Sequence, residues 1–301
     1  MYKEIGMTQI EDIEDLLISR DSKISCDKKC ENRECILYKH YKALFNRDLL
    51  EHNLGYASEE ICKLALKNQT SKKRKNLINE VEQLLNKVNR DEFLYIQGKN
   101  SILITAPHAT WHFRYASSKL KRKVGDWLKI ADMNTGILAC SLAQRTESNL
   151  LVQIYTAWLD PNFYREAFLR KKLREILKNN NIKFILDIHG LSQDRNADFD
   201  IIDMYGLSLI PFNLIKIREK LKDRLEASDC DAGINRFFNG AVNSPIHHTI
   251  IKEVSQEFHT PCIELEVGRR FRSDPNEIVN KKILEILEKW LKIDVLPSLG
   301  A

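Results

Sequence analysis

From about residue 91 onward, short apolar runs alternate with longer amphipathic stretches, and this alternation constrains the fold more than any other feature of the sequence. Strand-like runs occur at 93–96, 101–105, 150–155, 183–188, 199–203 and 262–267. Helical periodicity fits 136–145, 162–179, 211–226, 246–258 and 277–293. Strands interleaved with helices of this length predict an α/β domain built around a largely buried sheet. Gly98-Lys99-Asn100, between the first two runs, reads as a hairpin turn.

The first 90 residues read as a separate helical module, leaving 91–301 as the α/β domain. In the module, Ile10, Ile13, Leu16 and Leu17 share one helix face, and Leu37, Tyr41, Leu44 and Phe45 share another. It also holds Cys26, Cys30 and Cys35, with Cys62 further on. Thiolates this clustered can hold a structural zinc ion or an iron–sulfur cluster, although the spacing is not the Cys-x2-Cys of zinc ribbons. The competing reading is an accidental sharing of one helix face. Cys140, Cys230 and Cys262 read as small buried hydrophobes.

No apolar run reaches the length of about 18 residues that spans a membrane, and no secretory leader is visible. A cytoplasmic protein with reduced thiols is the expectation. Lys and Arg number 47 against 42 Asp and Glu, a net charge of +5, which permits an anionic partner without arguing for nucleic acid. The basic segments 72–75 and 119–123 fit solvated helix or loop surface. A non-catalytic nucleic-acid-binding protein with a relic core is the contrasting reading.

Two predicted strands end in histidine. One is Ile102-Leu103-Ile104-Thr105-Ala106-Pro107-His108, the other Phe184-Ile185-Leu186-Asp187-Ile188-His189-Gly190. In open α/β sheets ligands bind beyond the carboxyl ends of strands, and imidazole is a common metal ligand. Either histidine alone is more often just a polar loop start. Asp187 shares a strand face with His189 and could orient its ring. His112 stands four residues after His108, a metal-pair spacing if the stretch is helical and an ordinary surface or substrate-contacting position otherwise.

Asp132 precedes the helix near Gly136, where it could cap that helix or complete a His/His/carboxylate zinc site. Asp160-Pro161-Asn162 reads as a turn and cap. Ile263-Glu264-Leu265-Glu266-Val267 alternates apolar and acidic, so both carboxylates face one way. On an edge strand that is a solvated face; in a sheet centre it requires a function or a partner. Arg269, Arg270 and Arg272 follow at once. A glutamate beside a zinc site is the usual general base of metal-assisted hydrolysis, and an arginine can clamp a substrate carboxylate.

Taken in order, Pro107-His108-Ala109, Asp132-x2-Thr135-Gly136, Asp160-x-Asn162, Asp187-Ile188-His189-Gly190 and Ile263-Glu264-Leu265-Glu266-Val267-x-Arg269 resemble the N-formylglutamate amidohydrolase family. That family is related to the zinc carboxypeptidase and aspartoacylase-like hydrolases. The resemblance covers about 100–272 and leaves the helical module outside. It implies a phosphorylase/hydrolase-like mixed sheet flanked by helices and a zinc ion that activates water to cleave a C–N acyl bond. It further implies His108, His189 and Asp132 as metal ligands and Glu266 as the catalytic glutamate, with Arg114 or Arg269 binding a substrate carboxylate. The implied substrate is small, an N-formyl or N-acyl amino acid or a short peptide. A zinc carboxypeptidase-like enzyme acting on peptide or cell-wall stems is the alternative within the same chemistry. The sequence departs from the family pattern at Phe163, where arginine is common, and after Ala109, where Thr110 replaces glycine.

Overall fold

The computed structural model describes residues 93–110, 112–113, 128–129, 132, 134–153, 157, 159–244, 248–272 and 281–300. The helical module with Cys26, Cys30, Cys35 and Cys62 lies outside these residues, as do Arg114 and both basic segments.

The described strands are β1 (Phe93–Ile96), β2 (Ile102–Ala106), β3 (His112–Phe113), β4 (Leu128–Lys129), β5 (Asn149–Gln153), β6 (Phe184–Leu191), β7 (Phe199–Ile202), β8 (Ala232–Ile234) and β9 (Cys262–Gly268). Seven form one mixed sheet in the order β1-β5-β2-β6-β9-β7-β8, and β3 pairs with β4 in a small ribbon. Strands β5, β2, β6 and β9 run parallel, while β1 and β7 are antiparallel to their neighbours β5 and β9. The expected hairpin between β1 and β2 is not formed, because β1 pairs with β5 instead. Gly98 serves a different purpose: a Cβ there would lie 2.3 Å from the Ser148 carbonyl carbon, so the glycine lets this turn pack against the chain entering β5.

Helices cover both faces of the sheet. On one side Ile104, Leu186, Ile188, Ile263 and Leu265 pack beneath α1 (Thr135–Thr146), α3 (Ile215–Glu226) and α6 (Lys281–Lys289), which continues as a π-helical segment, Trp290–Val295. Trp290 is fully buried here and donates its indole N–H to the Ile217 carbonyl at 2.8 Å. On the other side Leu103, Leu151, Ile185, Ile202 and Cys262 pack beneath α2 (Phe168–Asn179) and α4 (Ile250–Gln256). The remaining helix, α5 (Arg269–Arg272), is one turn directly after β9. No described helix is long and apolar enough to cross a membrane.

Three helices start later than their periodicity predicts, α4 among them, which Thr249 caps so that it begins at Ile250. Backbone N–H groups of Phe163 and Tyr164 turn back onto the Asp160 carbonyl, so 162–167 is a series of turns and α2 begins at Phe168. Asn213 takes a left-handed conformation (φ 61°), which separates the short 3-10 turn at Pro211 from α3.

The second face changes character along its length. Alternation keeps Leu103 and Thr105 of β2, Ile185, Asp187 and His189 of β6, and Cys262, Glu264 and Glu266 of β9 on the same side. Register then aligns them in rows: Leu103–Ile185–Cys262, then Thr105–Asp187–Glu264, then His189–Glu266–Asp200. The first row is core beneath the helices. The next two carry polar and ionisable groups and form the floor of a cleft.

Candidate metal centre

His108 follows β2, His189 is in β6, and Asp132 lies in the chain between β4 and α1. The backbone N–H of Asp132 donates to the His108 carbonyl at 2.8 Å, and one oxygen, Oδ2, accepts the Gly190 N–H at 3.0 Å. These bonds bring three donor atoms to one point. His108 Nδ1 is 3.2 Å from His189 Nδ1, and each is 3.5 Å from Asp132 Oδ2. A tetrahedral site with bonds of about 2.0–2.1 Å separates its donor atoms by about 3.3 Å, so this triangle fits a cation such as zinc.

The opposite nitrogen of each ring is already engaged. His108 Nε2 bonds Asp160 Oδ1 at 2.8 Å, and His189 Nε2 bonds Asp187 Oδ2 at 3.2 Å. Protons held at both Nε2 atoms leave both Nδ1 lone pairs aimed at the shared point, the arrangement that carboxylate partners impose on metal-binding histidines. Thr105 Oγ1 donates to the other oxygen of Asp187 at 2.5 Å, fixing that carboxylate in turn.

Asp132 does not cap α1. Asn134 stands at the cap position, left-handed and with no side-chain cap bond, so the Asp132 carboxylate is available to the histidines. His112 is in β3 rather than a helix. Its ring stacks on His108 at 3.9 Å, its Nδ1 lies 3.3 Å from the Thr110 carbonyl and its Nε2 lies 3.5 Å from Asp160 Oδ2.

The electrostatics follow from burial and these partners. Burial acts to lower the His108 imidazole, but the carboxylates of Asp160 and Asp132 outweigh it and raise the pKa to about 9. His189 is likewise raised, with Asp187 opposing burial. Burial acts to raise Asp132, yet the two imidazoles, protonated until a cation takes their Nδ1 atoms, donate to it and hold it well below the usual carboxylate range. Glu266 is pushed up to about 8, first by burial and then by Asp132 and Glu264, against the opposing pull of the histidines. A carboxyl with a pKa near neutrality can both take and return a proton.

A cleft of about 890 Å³ opens over this floor. His108, His112, Asp132, His189, Glu264 and Glu266 line one part of it, and Asn162 and Phe163 line a flank. The far wall is the loop carrying Phe237, Phe238, Asn239, Asn243 and Ser244. Asp200 anchors that loop: its carboxylate accepts the backbone N–H groups of Arg236, Phe237 and Phe238 at 2.8, 2.8 and 3.2 Å. Gly240 is left-handed (φ 61°), and a Cβ there would lie 2.7 Å from the Met204 side chain.

The three arginines after β9 diverge. Arg269 is exposed, donates to Gln193 at 3.2 Å and does not line the cleft. Arg272 is buried and braces the ends of both central strands, donating to the Val267 and Leu191 carbonyls at 2.8 and 3.4 Å.

Sequence reasoning assigned Asp160 to a turn, and the structure adds its bonds to two histidines. Asp160 is held because Arg170, fully buried in α2, donates to the Pro161 and His248 carbonyls and pairs with Glu253 of α4. The amide of Asn162 bridges the same region, accepting the Ile250 N–H at 2.8 Å while its Nδ2 lies 3.4 Å from His189 Nε2. The sequence signals were an Asp-Pro-Asn turn and the Asp160-x-Asn162 element of the resemblance, and neither says what these side chains face.

No family model matches the sequence, and no curated protein matches it. Among solved structures the chain is similar to the N-formylglutamate amidohydrolase from Ralstonia eutropha JMP134, at 10% identity over 69% of this chain and 97% of that one, with a TM-score of 0.40. It is similar to a bacteriophage poly-gamma-glutamate hydrolase at 12% identity over 70% and 94% of the two chains, with a TM-score of 0.41. A metallo-carboxypeptidase from Pseudomonas aeruginosa gives 11% identity over 69% of this chain and 61% of that one, with a TM-score of 0.42. At such values the likeness carries no functional weight, and the chemistry has to be read from the site.

Proposed function

We propose that the protein is a zinc-dependent hydrolase that cleaves the C–N acyl bond of a small N-acyl compound. What supports the reading is one observation: two imidazole Nδ1 atoms and a carboxylate oxygen lie 3.2–3.5 Å apart, with the far nitrogen of each ring tied to its own buried carboxylate. Two nitrogens and one oxygen leave a fourth tetrahedral position open, the composition of a catalytic rather than a structural zinc site. A zinc ion held there supplies a Lewis acid that lowers the pKa of water and polarises a carbonyl.

The remaining steps belong to the chain. Glu266, beside His189 in the register, takes a proton from the attacking water at its carboxylate and returns it to the departing amine. Asp160 and Asp187 keep the two imidazoles in one tautomer and orientation. His112, stacked on His108, walls the cleft beside the metal and shares the Asp160 carboxylate. Phe163, Phe237 and Phe238 supply apolar surface that limits water around the scissile group.

Elemental analysis tests the metal: about one zinc per chain is expected, with loss in a His108→Ala/His189→Ala double variant. Glu266→Gln should retain the metal and lose hydrolysis of a panel of acyl amino acids by about 10²–10⁴-fold. Zinc content unchanged by the double variant, or full turnover by Glu266→Gln, would overturn the assignment.

A further inference from the structure

Glu264 is 4% exposed, lines the cleft, and has an oxygen, Oε2, without a hydrogen-bond partner. Leaving a buried carboxylate oxygen unpaired is costly, so an arrangement that keeps it facing a cleft calls for a donor from outside the protein. His189 does not supply one, although a Glu264 oxygen comes within 4.8 Å of it, because its two nitrogens are engaged at the metal triangle and at Asp187. The register neighbour of Glu264, Asp187, is committed to His189 and Thr105.

The charge of the cleft defines the donor. Asp132, Glu264 and Glu266 line it, and no lysine or arginine is among the described lining residues. One divalent ion balances two of these negative charges, and Asp160 and Asp187, both fully buried behind the histidines, add two more that no lysine or arginine of the described lining offsets, whether or not Glu266 holds a proton. A neutral N–H would satisfy Oε2 but not the charge, whereas a protonated amine satisfies both with a charge-assisted bond. An anionic end group would meet only like charge.

Building on the hydrolase reading, we infer that Glu264 is the specificity residue of the cleft and receives a protonated primary amine of the substrate, so that the compound cleaved is an N-acylated diamine or basic amino acid. Two residues along a strand span roughly 6.6 Å, which sets the distance between the ammonium and the acyl group lying beside Glu266. Asn162 flanks the same position.

The test uses three acetamides that differ only at the chain end: N-(4-aminobutyl)acetamide, N-pentylacetamide and 5-acetamidopentanoate. Binding to the full chain is measured by calorimetry near neutral pH, with metal removed and with zinc restored. The ammonium probe is expected to bind at least about tenfold more tightly than the methyl probe, with the carboxylate probe weakest. Glu264→Gln is expected to erase that preference. Absence of binding by the ammonium probe, equal or tighter binding of the carboxylate probe, or a preference that survives Glu264→Gln overturns the inference. Two metal ions per chain, falling to one in Glu264→Gln, overturns it too by making Glu264 a ligand. If Glu264→Gln fails to fold by circular dichroism, the wild-type ranking and Glu264→Asp decide. The ranking in metal-free protein reads Glu264 alone, and the metal analysis of the histidine variants reads the hydrolase assignment, so either can fail without the other.

Discussion

Replacing Asp160 or Asp187 by asparagine keeps the shape of each side chain and removes its charge. Each carboxylate holds the Nε2 proton of one histidine, at 2.8 Å for His108 and 3.2 Å for His189. With the charge gone the imidazole donates less electron density through Nδ1, and an asparagine turned amide-first would force the proton onto Nδ1 itself. Loss of such a partner weakens metal binding by about 10–100-fold, equivalent to about 1.4–2.7 kcal/mol. Asp160→Asn should fall at the upper end, because the bond is shorter and the same carboxylate also accepts the Asn162 N–H at 2.8 Å and lies 3.5 Å from His112 Nε2. Asp187→Asn should fall at the lower end, since Thr105 still holds the residue in place. Zinc competition against a chromophoric chelator gives the dissociation constants directly, and circular dichroism checks the fold. If both variants bind zinc as tightly as wild type, the three-donor triangle is not the metal site.

Further outcomes follow from the packing. Gly190→Ala would place a Cβ 2.7 Å from the Arg272 guanidinium carbon, so urea unfolding should show a loss of about 1–3 kcal/mol as that brace is displaced. Trp290→Ala removes a fully buried indole packed edge-on against Phe184 and should cost about 3–5 kcal/mol by the same assay. Burial acts to raise Asp294, but Arg224 at 2.7 Å and Lys220 at 3.1 Å hold it below the usual carboxylate range. A depressed folded pKa gives stability that is present above the unfolded value of about 3.9 and is lost as pH falls through the folded one. Asp294→Asn should therefore destabilise by about 1 kcal/mol near neutral pH and by less in acid, visible as a flatter acid limb of the unfolding midpoint.

The buried sheet of the α/β domain was legible because each strand is short, apolar and separated by a helical period. The same period-two alternation placed Asp187 with His189 and Glu264 with Glu266 on common faces before any coordinates. What alternation cannot give is the partner of each strand. The pairing of β1 with β5 rests on the close approach at Gly98, which resembles a hairpin turn in sequence. Strand β8, only Ala232–Ile234, is too short to carry a period and is held by pairing with β7. The separate fates of Arg269 and Arg272 depend on the direction of a single helical turn, and the bonds of Asp160 depend on a buried arginine ten residues later. Both are properties of three-dimensional packing, invisible to spacing.

The cleft has two halves of different evolutionary freedom. Its floor is carried by β6 and β9, each paired on both sides within the sheet, so a change at His189 or Glu266 is felt by the strands that hold the whole domain together. Its far wall is held mainly through backbone groups: Asp200 accepts three N–H groups that any sequence except proline supplies, and Thr249 and Lys252 donate to the Gly240 and Ser244 carbonyls. A lineage can therefore exchange Phe237, Phe238, Asn243 and Ser244 and explore new ligands while Gly240 and the reacting groups stay fixed.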